Sequence, residues 1–250
     1  MRQRFRFHPC GNYKDRYEDE LTVFETDFGR LWAIVGLLVL LCFAPFVLSR
    51  YMLYIVNTIG IMSMAAIGLN ILIGYTGLIS LGHGAFVGVG AYAAAILATR
   101  WNLPILVTLP AAGMITALLG MVFGIPSVRL KGLYLTIATI AGQFIIEYVL
   151  VHWDSLTMGT MGITLPFPSF FGYEITGDRG FFYLIFTCLI LMVLLAINLM
   201  RSKYGRAFVA VRDNDRAADG MGIPIFRYKL LSFRISSFYA GCAGALRAYY

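Results

Sequence analysis

The chain has 250 residues, of which 59% are hydrophobic and 13% charged, and it carries a formal charge of +7. Soluble domains hold roughly a quarter charged residues, so this composition excludes a soluble globular domain and marks a membrane protein, with a mean hydropathy of +0.76. At about 20 residues per crossing there is room for roughly seven spans, and an all-α polytopic bundle is the fold class expected.

Residues 1–30 are polar and densely charged, with Arg2, Arg4, Arg6, Lys14, Arg16 and Arg30 set among Asp15, Glu18, Asp19, Glu20, Glu25 and Asp27. No apolar core followed by a small-residue cleavage site occurs there, so a secretory signal is not expected. The apolar region then runs over 31–250 as one domain. Its predicted spans are 31–49, with Pro45 near the end, then 51–73, a glycine-rich stretch leading into 85–98, then 104–125, 132–151 and 181–200. A last segment starts near Lys229 and is still apolar at Tyr250, which leads us to expect a truncated form of a longer protein.

Orientation follows from basic residues, which stay with cytoplasmic loops. The connection 201–229 holds Arg201, Lys203, Arg206, Arg212, Arg216, Arg227 and Lys229, and Arg129 and Lys131 mark another. Both are expected in the cytoplasm, with the amino terminus, whereas 153–180 and the turns near Arg50 and Arg100 fall outside. The positive excess is then explained by loops facing anionic headgroups, and nucleic acid is not an expected partner. Cys10, Cys42, Cys188 and Cys242 are scattered without a C-x-x-C pair, and no metal or cofactor is expected on this chain.

The glycine-dense stretch 74–91 is the most unusual segment. Backbone that is not smooth helix persists in a membrane only where protein or a cavity surrounds it. Gly74, Gly77 and Gly82 read as a turn or a helix break, and 51–98 accommodates either a tight turn or a re-entrant piece. His83 has two readings, a side chain beside a translocation route or a structural imidazole bonded to a neighbouring carbonyl, the second being favoured. Gly84, Gly88, Gly90 and the alanines after them suit close helix packing. Asn70 either bonds across the bundle or faces the route. Thr136, Thr139, Gln143 and Glu147 recur at steps of three and four and share one helical face. They line either a pathway or an interhelical seam.

In the basic loop, Asp213 or Asn214 is placed to cap a short helix that Ala217 and Ala218 favour and that Gly220 or Gly222, followed by Pro224, terminates. Such a helix between two spans is a docking element or a surface helix resting on headgroups.

Three separated motifs carry a resemblance: Asn70 to Phe86, Arg129 to Thr139, and Tyr204 through Ala217, Ala218, Gly222 and Ile223. Together they resemble bacterial branched-chain amino acid ABC transporter permeases of the LivM type, over roughly residues 31–250. The resemblance implies an inner-membrane importer subunit, paired with a second, LivH-like permease, two ATP-binding subunits and a periplasmic substrate-binding protein. It further implies that 212–222, with Arg212, Asp213, Asn214, Asp215, Ala217, Ala218 and Gly222, is the coupling helix seated on the ATPase, with Arg and Asp at its surface setting register. Asn70, Gly77, Gly82, His83, Thr136, Thr139 and Gln143 are the candidate pathway residues. ATP hydrolysis is expected in partner subunits, since the chain has no G-x-x-x-x-G-K-[ST] loop, and no enzyme activity is assigned to it. Gly142-Gln143 and the run 157–162 depart from the family pattern. Urea and short-chain amide permeases share the scaffold and stand as the alternative substrate class. An ion-coupled transporter calls for a charge deep in a span, and Glu147 near an edge serves poorly.

Overall fold

The computed structural model describes residues 32, 36, 43–128, 130, 132–165, 168–170, 173–174 and 177–250. The charged leader 1–30, most of the first predicted span, and Arg129 and Lys131 lie outside the described residues. The chain divides into two compact units, Met1–Tyr51 and Met52–Tyr250. In the first, residues 43–47, Pro45 included, are helical.

The second unit is a helical bundle. In chain order the helices are α1 (Arg50–Asn70), extended by a π-helical turn at Ile71–Tyr75, α2 (His83–Trp101), α3 (Ile105–Val128) and α4 (Leu133–His152). A short α5 (Asp154–Thr157), a 3-10 turn (Gly159–Met161) and a two-residue antiparallel pairing of β1 (Ser169–Phe170) with β2 (Tyr173–Glu174) then lead to α6 (Asp178–Arg201). The chain finishes with α7 (Lys203–Asp213), α8 (Asp215–Gly220) and α9 (Ile225–Tyr249).

Among the described residues, five helices are long and apolar enough to cross a membrane: Arg50–Tyr75, His83–Trp101, Ile105–Pro126, Leu133–His152 and Asp178–Arg201. These coincide with five of the predicted spans to within a few residues at each end. Of the seven expected, the first falls largely outside the described residues. The last is α9, which starts at Ile225, a turn before Lys229, and is not one of the five.

The reason is its position. α9 lies at the centre of the bundle and packs most extensively on α3 and α2. From Tyr239 to Leu246 every residue is buried. A helix surrounded by protein has no need of a lipid-facing apolar surface, so Ser232, Ser236, Ser237, Gly241 and Gly244 are accommodated inside it. Small residues set the separation: at Gly90 of α2 the backbone of Gly241 comes so close that no Cβ fits between them. Ala93 and Ala94 pack with Ala112 and Ala245 in the same seam. The expected close packing of the α2 glycines therefore holds at Gly90, whereas Gly84 has nothing within 4 Å of an added Cβ.

The main core joins α1, α6 and α9 through Ile61, Met64, Phe181, Ile185, Met192, Tyr239 and Leu246. Polar ties add to it, since the Tyr239 hydroxyl donates to the Met192 carbonyl at 2.9 Å and Asn57 Nδ2 donates to the Asp178 carbonyl at 3.1 Å.

The connections sort into two ends. At one, Arg212 reaches the Gly74 carbonyl, and Leu130 and Gly132 line a cleft with residues 211–216. At the other, Arg100 Nη2 donates to the Ser155 carbonyl at 2.6 Å and the Tyr250 hydroxyl meets Asp178 Oδ1 at 3.4 Å. This alternation is the one expected of successive crossings.

Candidate docking site at the basic end of the bundle

The segment between α6 and α9 is built by caps. Ser202 opens α7, its hydroxyl accepting from the Tyr204 amide at 3.2 Å. α7 is amphipathic: Gly205, Ala207, Phe208 and Val211 are buried, and Lys203, Tyr204, Arg206, Arg212 and Asp213 are exposed. The chain breaks at Asn214, which is extended at φ −157°, and Asn214 Oδ1 accepts from the amides of Arg216 (3.0 Å) and Ala217 (3.2 Å). Of the two caps considered from sequence, Asn214 is the one used. These bonds satisfy donors that a helix start leaves unpaired.

α8 ends in a Schellman motif. The Ile223 amide donates to the Ala218 carbonyl at 3.0 Å and the Gly222 amide to the Asp219 carbonyl at 2.9 Å, with Gly222 at φ +79° where glycine carries no steric penalty. The span 212–222, expected as one short helix, thus comprises the last turn of α7, a cap, α8 and its terminator.

The expected surface charges are partly turned inward. Asp215 Oδ2 lies 2.9 Å from Lys229 Nζ, with side chains 20% and 6% exposed respectively. Arg212 donates from Nη1 to the Gly74 carbonyl and from Nε to Asp213 Oδ1, both at 2.9 Å. Ala218 is buried. Asp213, Arg216, Ala217, Asp219 and Gly220 remain exposed, as does Met221 at 80%. This tip is the projecting surface. Between it and the bundle lies a polar cleft of about 360 Å³, lined by Thr76, Gly77, Leu135, Arg212, Asp213, Asn214, Asp215, Arg216 and Lys229.

Five of the seven candidate pathway residues separate into three places. Asn70 is exposed on the last turn of α1, and its carboxamide lies against Gly74. Gly77, at φ +71°, faces the Arg212 stem and lines the polar cleft. Gly82, Thr139 and Gln143 line a small cavity of about 20 Å³ with Phe86, Phe123, Gly142, Ile146 and Phe233.

His83 is the first residue of α2 and is buried, with Nε2 donating to the Ala65 carbonyl of α1 at 2.9 Å. This is the structural arrangement favoured from sequence. The break before it runs over residues 76–82, longer than a tight turn and neither strand nor helix. Thr139 Oγ1 holds it by accepting from the Leu81 amide at 3.2 Å while donating to the Thr136 carbonyl at 2.9 Å. Further along the same stripe Thr136 is half-buried, and Gln143 Nε2 donates to Glu147 Oε1 at 2.8 Å. At Thr139 the stripe is therefore a seam against the break.

Lys229 is the residue that sequence reasoning counted only as loop charge. Its only local signal is a lysine one turn into α9, with its acidic partner 14 positions earlier. A second feature not foreseen is an apolar cavity of about 500 Å³ at the opposite end, lined by Val89, Tyr92, Leu119, Ile146, Leu150, Trp101 and Trp153 among others.

Residues 51–250 match the family model described as branched-chain amino acid transport system / permease component. The chain belongs to this permease family. A high-affinity branched-chain amino acid transport system permease protein LivM from Escherichia coli (strain K12) is 35% identical, the match covering 86% of this chain and 56% of that protein. The LivM of Salmonella typhimurium is 34% identical with the same coverage. A probable branched-chain amino acid transport permease protein LivH from Methanocaldococcus jannaschii is 26% identical over 73% of this chain and 61% of its own length. The chain thus spans a little over half the length of the LivM relatives. No solved structure matches it significantly. With its family and its apolar helices, this permease chain is a multi-pass membrane protein.

Proposed function

We propose that the chain is a membrane-spanning permease subunit of an ATP-driven importer for branched-chain amino acids in the bacterial inner membrane. In this reading the α7–α8 element faces the cytoplasm and docks on an ATP-binding subunit. A second, LivH-like permease completes the conduit, a second ATP-binding subunit serves it, and a periplasmic binding protein delivers the amino acid. ATP is bound and hydrolysed by those partner subunits.

The observation that carries the reading is the tip from Arg216 to Met221, exposed except at Ala218 and capped at both ends, yet anchored to the bundle through Asp215 and Arg212. A helix that only rested on headgroups would have little use for such anchors, whereas one that receives a push from a partner needs a stiff connection to the spans. Closure of an ATPase pair would then be passed on as a rigid-body displacement. The permease family and the names of the relatives favour branched-chain amino acids over urea or amides.

Reconstitution tests it. Proteoliposomes holding this chain, the second permease and the ATP-binding subunits, supplied with binding protein outside and ATP inside, are expected to accumulate radiolabelled leucine, isoleucine or valine. Omitting the ATP-binding subunits should abolish uptake. Leucine uptake by this chain alone, without ATP, would contradict the proposal.

A further inference from the structure

The docking element is tied to the bundle at two points that lead to different places. Asp215, the first residue of α8, holds Lys229 at 2.9 Å, and Lys229 belongs to α9, the central helix. Arg212, on the other side of the Asn214 break, donates to the carbonyl of Gly74 at 2.9 Å, within the π-helical turn that extends α1. The Arg212 stem also lies against Gly77, where a Cβ would come within 2.9 Å of Arg212 Cγ.

From Gly77 the connection continues into the break. Leu81 is bonded to Thr139 on α4 at 3.2 Å, and His83, two residues on, to Ala65 on α1 at 2.9 Å. The break carries one mark of an arrangement with an alternative. Ser80 is 2% exposed, and its hydroxyl has no hydrogen-bond partner among the described residues. A buried hydroxyl without a partner costs about 1–3 kcal/mol, a cost that a second arrangement of the same loop would relieve. Single π-helical turns inside α-helices recur at functional positions.

We propose that Arg212 is a positioning residue that transmits movement of the docking element into the break 76–82, while the Asp215–Lys229 pair holds that element on α9. The inference rests on the reading of α7–α8 as the ATPase docking site. It differs from the expectation that Arg212 is a surface contact with the partner, because its guanidinium is directed to Gly74 and Asp213.

The test uses the complete transporter in liposomes, reading ATP hydrolysis, amino acid uptake and co-purification of the ATP-binding subunits side by side. Arg212→Gln is expected to keep the ATP-binding subunits and their hydrolysis, while uptake per ATP falls about tenfold, within the usual range of a coupling free energy. Arg212→Lys, which retains one donor for the Gly74 carbonyl, should recover much of that ratio. Gly77→Ala, which pushes Arg212 from the other side, should lower it as Arg212→Gln does. Lys229→Met, which frees the element from α9, should reduce the amount of assembled complex.

If Arg212→Gln loses the ATP-binding subunits, Arg212 is a docking contact and the inference is overturned. A wild-type ratio in Arg212→Gln overturns it too. A wild-type chain that recruits no ATP-binding subunit overturns the docking reading itself, and this inference with it.

Discussion

Lys229 shows how a charge is tolerated inside a bundle. Its side chain is 6% exposed, and Asp215 at 2.9 Å balances its ammonium. Removing one member of a buried pair costs about 3–5 kcal/mol, because the other is left uncompensated. Lys229 is the deeper of the two, so Asp215→Asn is expected to destabilise more than Lys229→Met, and the double variant less than Asp215→Asn. Thermal unfolding of the detergent-solubilised chain checks the order. The exposed Arg212–Asp213 contact, by contrast, is worth about 0–1 kcal/mol, and its loss should leave stability nearly unchanged. His83 is expected to act as a structural residue. Its bond ties the start of α2 to α1, and His83→Ala leaves the Ala65 carbonyl without that partner. The expected outcome is a loss of about 1–3 kcal/mol, seen as a lower unfolding temperature, with the KM for uptake unchanged. A raised KM with unchanged stability would make His83 a pathway residue instead.

At the scale of elements, α8 depends on its caps and α9 on its glycines. Asn214→Ala removes the acceptor for two amides and should cost the short helix about 1 kcal/mol, read as weaker retention of the ATP-binding subunits in pull-down. In α2, Gly84→Ala is expected to be neutral or slightly stabilising, since nothing lies within 4 Å and alanine is the better helix former. Gly90→Ala should sharply reduce folded protein, because a Cβ there meets the Gly241 backbone. Among the described residues, the five helices long and apolar enough to cross a membrane were legible to within a few residues, since their length and apolar composition are local properties of the sequence. The caps of α8 were legible as well, being local. What escaped were features set by distant partners: the central place of α9, whose serines and glycines read as a weak span, the ion pair across 14 positions, and the bond from Thr139 to the break 76–82. Whether 74–84 was a tight turn or a longer break depended on contacts with α4 and α7 that no local pattern announces.

At the scale of the molecule, the described connections fall into two groups at opposite ends, and the group containing α7, α8 and the break 76–82 is the one rich in arginine and lysine. Basic loops remain in the cytoplasm, so that end is expected to meet the ATP-binding subunits, with Ser155, Asp178 and Tyr250 gathered at the periplasmic end. The most direct measurement is labelling of Met221→Cys, at the exposed tip past α8, with a membrane-impermeant maleimide in oriented vesicles. The expected result is labelling in inside-out vesicles only, with protection when the ATP-binding subunits are assembled. Labelling from the periplasmic side of right-side-out vesicles would contradict it, because no cytoplasmic ATPase could then reach the docking element.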